Sequence, residues 1–104
     1  MRISENEIKA IKESVNSLDK GAKIYLFGSR NVDLAKGGDI DLLIISEKLS
    51  YDDTITIRKN LHERLEEQKI HIIIAQDTTD PFVKIAYREG ALLWKMIYLN
   101  YWVR

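Results

Sequence analysis

Three short stretches of this chain combine residue types and spacing that can do chemistry: Gly28-Ser29-Arg30, Asp39-Ile40-Asp41 and Ile70-His71-Ile72. Residues i and i+2 of a strand point to one face, so Asp39 and Asp41 are expected to present their carboxylates side by side, about 7 Å apart at Cα, while Ile40 turns into the core. Two like charges there repel. A divalent cation, or a pair of them about 3.5–4 Å apart, resolves that conflict, and the oxygens of a nucleoside triphosphate complete the coordination. Gly28-Ser29 offers the other half of a phosphate site, because glycine lets the backbone approach closely and a serine opening a helical turn presents both its amide and its hydroxyl to an anion. Arg30 and Lys36 read equally well as phosphate contacts or as solvated loop charges. The bland reading of the two aspartates is the exposed end of a strand after the Gly37-Gly38 turn, and that of His71 is a half-buried strand histidine. His62 falls on the polar side of a helix. No Ser-His-Asp arrangement, Walker loop or zinc spacing occurs.

These residues need elements to hold them. Ser4 and Glu7 form a capping box, and Ile8, Ile11, Val15 and Leu18 recur at helical spacing, predicting a helix to about Leu18. Ile24 to Phe27 reads as a buried strand halting at Gly28, and Asp39 to Ile45 as a central strand. Ser50 with Asp53 predicts a second cap, followed by a helix to about Gln68 whose apolar face carries Tyr51, Ile55, Leu61 and Leu65. Ile70 to Ala75 is β-rich, and alternation sends His71 to one face and Ile70, Ile72 and Ile74 to the other. Asp80-Pro81 caps a short helix from Phe82 to Arg88, which Gly90 closes before a last strand from Ala91 to about Tyr98. The order α, β, a short turn or helix, β, α, β, α, β implies an α/β (α+β) fold with a small mixed sheet and helices packed mainly on one face.

Composition narrows the class. The chain's 104 residues suit one domain, 1–104, and 45% hydrophobic residues can fill its core. Sixteen acidic and sixteen basic residues leave no formal net charge, against a protein that grips nucleic acid through an extensive basic surface. There is no cysteine, hence no disulfide framework and no thiolate metal site, which suits a reducing cytoplasm. No signal peptide is expected in the charged start, and no apolar run approaches the roughly 20 residues of a spanning helix, so no membrane role is expected. Trp94 reads as core. Tyr101 and Trp102 read as either a protein-docking anchor or ordinary packing.

A hydrophobic strand, Gly-Ser-Arg, about ten residues, then Asp-x-Asp and a hydrophobic run stand here as YLFGSRNVDLAKGGDIDLLII. This resembles the minimal nucleotidyltransferases of the DNA polymerase beta superfamily. The similarity continues through KIHIII and DPFVKIAYREGALLW, so it covers nearly the whole chain. It implies a nucleotidyltransferase-type fold, ATP or another nucleoside triphosphate as substrate, Mg2+ or Mn2+ on Asp39 and Asp41, and nucleotide contacts from Gly28, Ser29, Arg30 and Lys36. The third catalytic position, usually a carboxylate that helps hold metal and draws the proton from the attacking hydroxyl, falls on His71. Many proteins of this type are antitoxins paired with a helical HEPN ribonuclease, some of which they silence by adenylylating a tyrosine. A HEPN-type partner, or copies of this chain, is therefore expected, with a catalytically weak module that acts by occlusion as the alternative. A small-molecule nucleotidyltransferase, the third reading, would need a second chain to hold its acceptor.

Overall fold

The computed structural model describes residues 3–28, 39–65 and 69–94, with Trp94 described by its backbone only. The elements run α1 (Glu5–Asn16), β1 (Lys23–Phe27), β2 (Ile40–Ile45), α2 (Tyr51–Arg64), β3 (Ile70–Ala75), α3 (Pro81–Glu89) and β4 (Ala91–Trp94). The strands form one mixed sheet in the order β3-β2-β1-β4. β1 pairs antiparallel with both β2 and β4, whereas β2 and β3 are parallel.

Local chemistry starts each helix. At α1 the Ser4 amide donates to Glu7 Oε1 at 2.9 Å and the Glu7 amide donates to Ser4 Oγ at 3.1 Å, so both bonds of the capping box are made. At α2 the Ser50 amide donates to Asp53 Oδ2 at 2.8 Å. At α3 Asp80 Oδ1 accepts from the amides of Phe82 and Val83 at 2.9 and 3.2 Å, with Pro81 in the first turn.

The sheet alternates cleanly. Ile24, Leu26, Ile40, Leu42, Ile44 and Ile70 turn to the face covered by α1 and α2, where they pack with Ile11, Val15, Ile57 and Leu61. Tyr25 and Leu43 turn to the other face, where α3 lies on them through Val83 and Ala86. Two helices on one face and one on the other give the arrangement expected from the order of elements. Each fully buried Leu or Ile of this core contributes roughly 1.5–3 kcal/mol relative to exposure. Tyr87 of α3 meets Tyr25 edge-to-face at 5.0 Å between centroids.

Four boundaries or faces differ from the sequence reading. α1 stops at Asn16 rather than near Leu18, as the Ser17 hydroxyl donates to the Ser14 carbonyl and the chain turns. β2 begins at Ile40, so Asp39 precedes the strand. α2 ends at Arg64, before Gln68, and its buried face is Thr54, Ile57 and Leu61 with Leu65 partly covered. Tyr51 and Ile55 are 76% and 59% exposed, because packing against the sheet selects the stripe one turn-fraction away from theirs. β4 is described to Trp94, and the expected extension to Tyr98 lies outside the described residues, as does the side chain of Trp94. Among the described residues no helix is long and apolar enough to cross a membrane.

Candidate active site

β1 delivers the first component. Its last residue, Phe27, stands opposite Asp41 in the antiparallel register, and the chain then turns at Gly28 with φ +74°. That value lies in the left-handed region, where a side chain is strained. Space imposes the same residue: a Cβ on Gly28 would collide with Asp41 Oδ2 and stand 3.1 Å from its Cγ. Gly28 is thus the backbone surface against which the Asp41 carboxylate rests.

β2 delivers the second component. Ile40 is fully buried on the α1–α2 face, so alternation sends Asp41 to the opposite face, while Asp39 stands just ahead of the strand. Asp39 is half-exposed, and Asp41 is intermediate in burial. Burial pushes the Asp41 carboxyl above its ordinary value; the neighbouring His71 charge lowers it and the Asp39 charge raises it again. The carboxylate therefore gains from any added positive charge.

β3 delivers the third. The parallel register pairs Asp41 with His71, and Ile40 with Ile70. The Ile40 amide donates to the Lys69 carbonyl at 2.9 Å, and Arg58 of α2 reaches across with Nε to the Ile70 carbonyl at 3.1 Å, fixing the start of β3 one residue before His71. His71 Nε2 comes within 3.6 Å of Asp39 Oδ2, with side-chain exposures of 57% and 48%. The imidazole is therefore exposed rather than half-buried, and the three side chains occupy one open end of the sheet's α3 face. His62 is exposed on α2, as its position on the polar side requires.

The structure thus brings together Gly28, Asp39, Asp41 and His71. Ser29, Arg30 and Lys36, the other expected nucleotide contacts, lie outside the described residues, as do Tyr101 and Trp102. Arg58 was not anticipated; its partner is a backbone carbonyl on another element, for which local sequence carries no signal. Among the described residues no three carboxylate or imidazole groups already converge as a metal cage. Asp39, Asp41 and His71 supply carboxylate and imidazole donors of the kinds that divalent cations take.

A four-stranded mixed sheet that aligns a glycine turn with an Asp-x-Asp pair defines a nucleotidyltransferase-type fold. The family model for polymerase beta nucleotidyltransferases matches residues 9–96, and the chain belongs to that family. No curated protein matches it in sequence.

Proposed function

We propose that this chain is a metal-dependent nucleotidyltransferase of the minimal, antitoxin type, which transfers an adenylyl group from ATP to a hydroxyl of a HEPN-type partner protein. The observation that carries the reading is Asp41 at the start of β2, with Gly28 packed against it, His71 in register beside it and Asp39 Oδ2 3.6 Å from His71 Nε2. Asp39 and Asp41 would hold Mg2+ or Mn2+, which supplies charge neutralisation for the triphosphate. Gly28 leaves room for the Asp41 carboxylate, and Ser29, Arg30 and Lys36 are the residues assigned to the phosphates. The acceptor hydroxyl oxygen bonds to the α-phosphorus as the bond to the β-phosphate oxygen breaks, pyrophosphate leaves, and the hydroxyl proton passes to a neighbouring base or to water. His71 stands where the family usually carries a third carboxylate. That substitution supports a second reading, in which catalysis is weak and the domain neutralises its partner by occlusion.

Intact-mass measurement of this chain co-expressed with the product of its neighbouring reading frame, with and without ATP and magnesium, separates the two. A mass increase of one adenylyl group on the partner, absent when Asp39 and Asp41 are replaced by Ala, is expected. A tight complex with unmodified masses establishes occlusion instead, and modification that survives the double replacement places the chemistry elsewhere.

A further inference from the structure

We infer that this chain forms a two-fold dimer by pairing the open edge of β3 with the same edge of a second copy, so that the sheet continues from one copy into the other.

β3 is composed like an interior strand but stands at an edge. Its six residues close the order β3-β2-β1-β4, and their register with β2 runs without a break from Ile40–Ile70 to Ile45–Ala75. Exposed edges are ordinarily blunted by shortness, a bulge, proline or charge. β4, at the opposite edge, has four residues and a register shift against β1 between Ile24 and Tyr25. β3 lacks these devices: Ile72, Ile73, Ile74 and Ala75 carry neither charge nor proline. All four are only partly covered, although Leu42, Leu43 and Ile44 beside them on β2 are fully buried. A continuous apolar run of this kind suits a strand covered on both sides.

The backbone groups that face outward can be named. The Ile40 amide donates to the Lys69 carbonyl at 2.9 Å and the Ser46 amide to the Ala75 carbonyl at 2.8 Å. The odd-numbered residues of β3 therefore turn their amides and carbonyls toward β2, and Ile70, Ile72 and Ile74 turn theirs outward. Arg58 agrees with this direction, since its Nε donates to the outward Ile70 carbonyl at 3.1 Å. With that carbonyl taken, Ile72 and Ile74 each present an amide and a carbonyl to an incoming strand.

These open groups select a second copy and its register. Antiparallel pairing sets outward residues against outward residues, so self-pairing is confined to registers two residues apart. Ile72 set against itself would demand the Ile70 carbonyl that Arg58 already holds. Ile72 set against Ile74 of the second copy uses both open residues of each strand, two bonds for each symmetric pair, and leaves the Arg58 contact intact. The same register places Lys69 of each copy opposite Asp77 of the other. Both are exposed, so opposite charges meet at both ends of the strand pair. With no formal net charge, two copies also approach without long-range repulsion. Tyr51 and Ile55, exposed on the stripe of α2 that Arg58 places along this edge, form a rim whose residues each contribute little alone.

Analytical ultracentrifugation and amide hydrogen exchange on the full chain test this. Expected is a concentration-dependent dimer in which the Ile72 and Ile74 amides gain protection as the dimer fills, while those of His71 and Ile73, already directed at β2, change little. Lys69→Glu and Asp77→Lys should each weaken the dimer about tenfold by setting like charges opposite one another, and the double replacement should restore it to within about threefold. Thermal melts check that the variants fold. A chain that stays monomeric overturns the inference, as does a dimer in which Ile72 and Ile74 exchange freely or which ignores both charge reversals. Protection of the two amides in a monomeric chain assigns the edge to this chain's own residues. Protection gained only with the product of the neighbouring reading frame assigns it to a partner's segment, and either result overturns self-pairing.

Discussion

Replacing Gly28 by Ala should injure stability and metal binding together, and the structure says by how much. At φ +74° a Cβ costs about 1–2 kcal/mol in backbone strain. The new methyl would also strike the Asp41 carboxylate, whose Cγ stands 3.1 Å from the Cβ position. Because that obstacle is the end of a rotatable side chain, the clash is relieved by turning Asp41 away, at about 0.5–1.5 kcal/mol for an off-rotamer side chain. The summed loss is roughly 1.5–3.5 kcal/mol in urea unfolding, and Mn2+ affinity should fall as Asp41 leaves the shared face. Gly90→Ala provides the comparison. Its φ of −81° is ordinary, but a Cβ there would meet the Ala86 carbonyl oxygen at 2.8 Å and that of Leu26 at 3.2 Å, backbone atoms that cannot swing aside. Gly90→Ala should therefore destabilise while leaving Mn2+ affinity of the folded protein within about twofold. Calorimetric Mn2+ titration beside urea unfolding reads both quantities. A Gly28→Ala protein with unaltered stability and unaltered Mn2+ affinity would refute the contact between Gly28 and Asp41.

Other expectations follow from the same geometry. Asp41→Asn in the metal-free protein should raise stability at pH 7 by a few tenths to about 1 kcal/mol, since the carboxylate is screened by partial exposure. The sign follows from the raised pKa: ionised Asp41 costs the fold, so the advantage of Asn should fade as pH drops through the folded-state pKa and vanish only below the ordinary aspartate range, where both folded and unfolded chains hold the proton; an advantage independent of pH in thermal melts would contradict it. Arg58→Met keeps much of the apolar stem but frees the Ile70 carbonyl, so it should cost about 1 kcal/mol in urea unfolding and speed amide hydrogen exchange at the start of β3; exchange unchanged there would separate Arg58 from the strand. Ile57→Ala should cost about 2–4 kcal/mol and Ile55→Ala within about 0.5 kcal/mol, and equal costs would mean that the wrong face of α2 has been assigned to the core.

Local sequence settled what local physics governs. Ser4 and Glu7 specify the start of α1 because both bonds of the box close within one turn. Asp80-Pro81 specifies α3 in the same way, and alternation assigned Ile40 inward before any neighbour was known. The buried stripe of α2 was not legible, since Ile55 and Ile57 point to different sides of a helix and only contact with the sheet decides which is covered. Nor could the chain's order of elements place β3 beside β2 rather than at the β4 edge, or put His71 opposite Asp41 and Nε2 within 3.6 Å of Asp39. Those relations join residues far apart in sequence, and they exist only once the two hydrophobic faces of the sheet have been packed. Gly28 shows both levels in one residue: its type suggested a turn with close approach, but only the fold revealed that what approaches it is the carboxylate of Asp41.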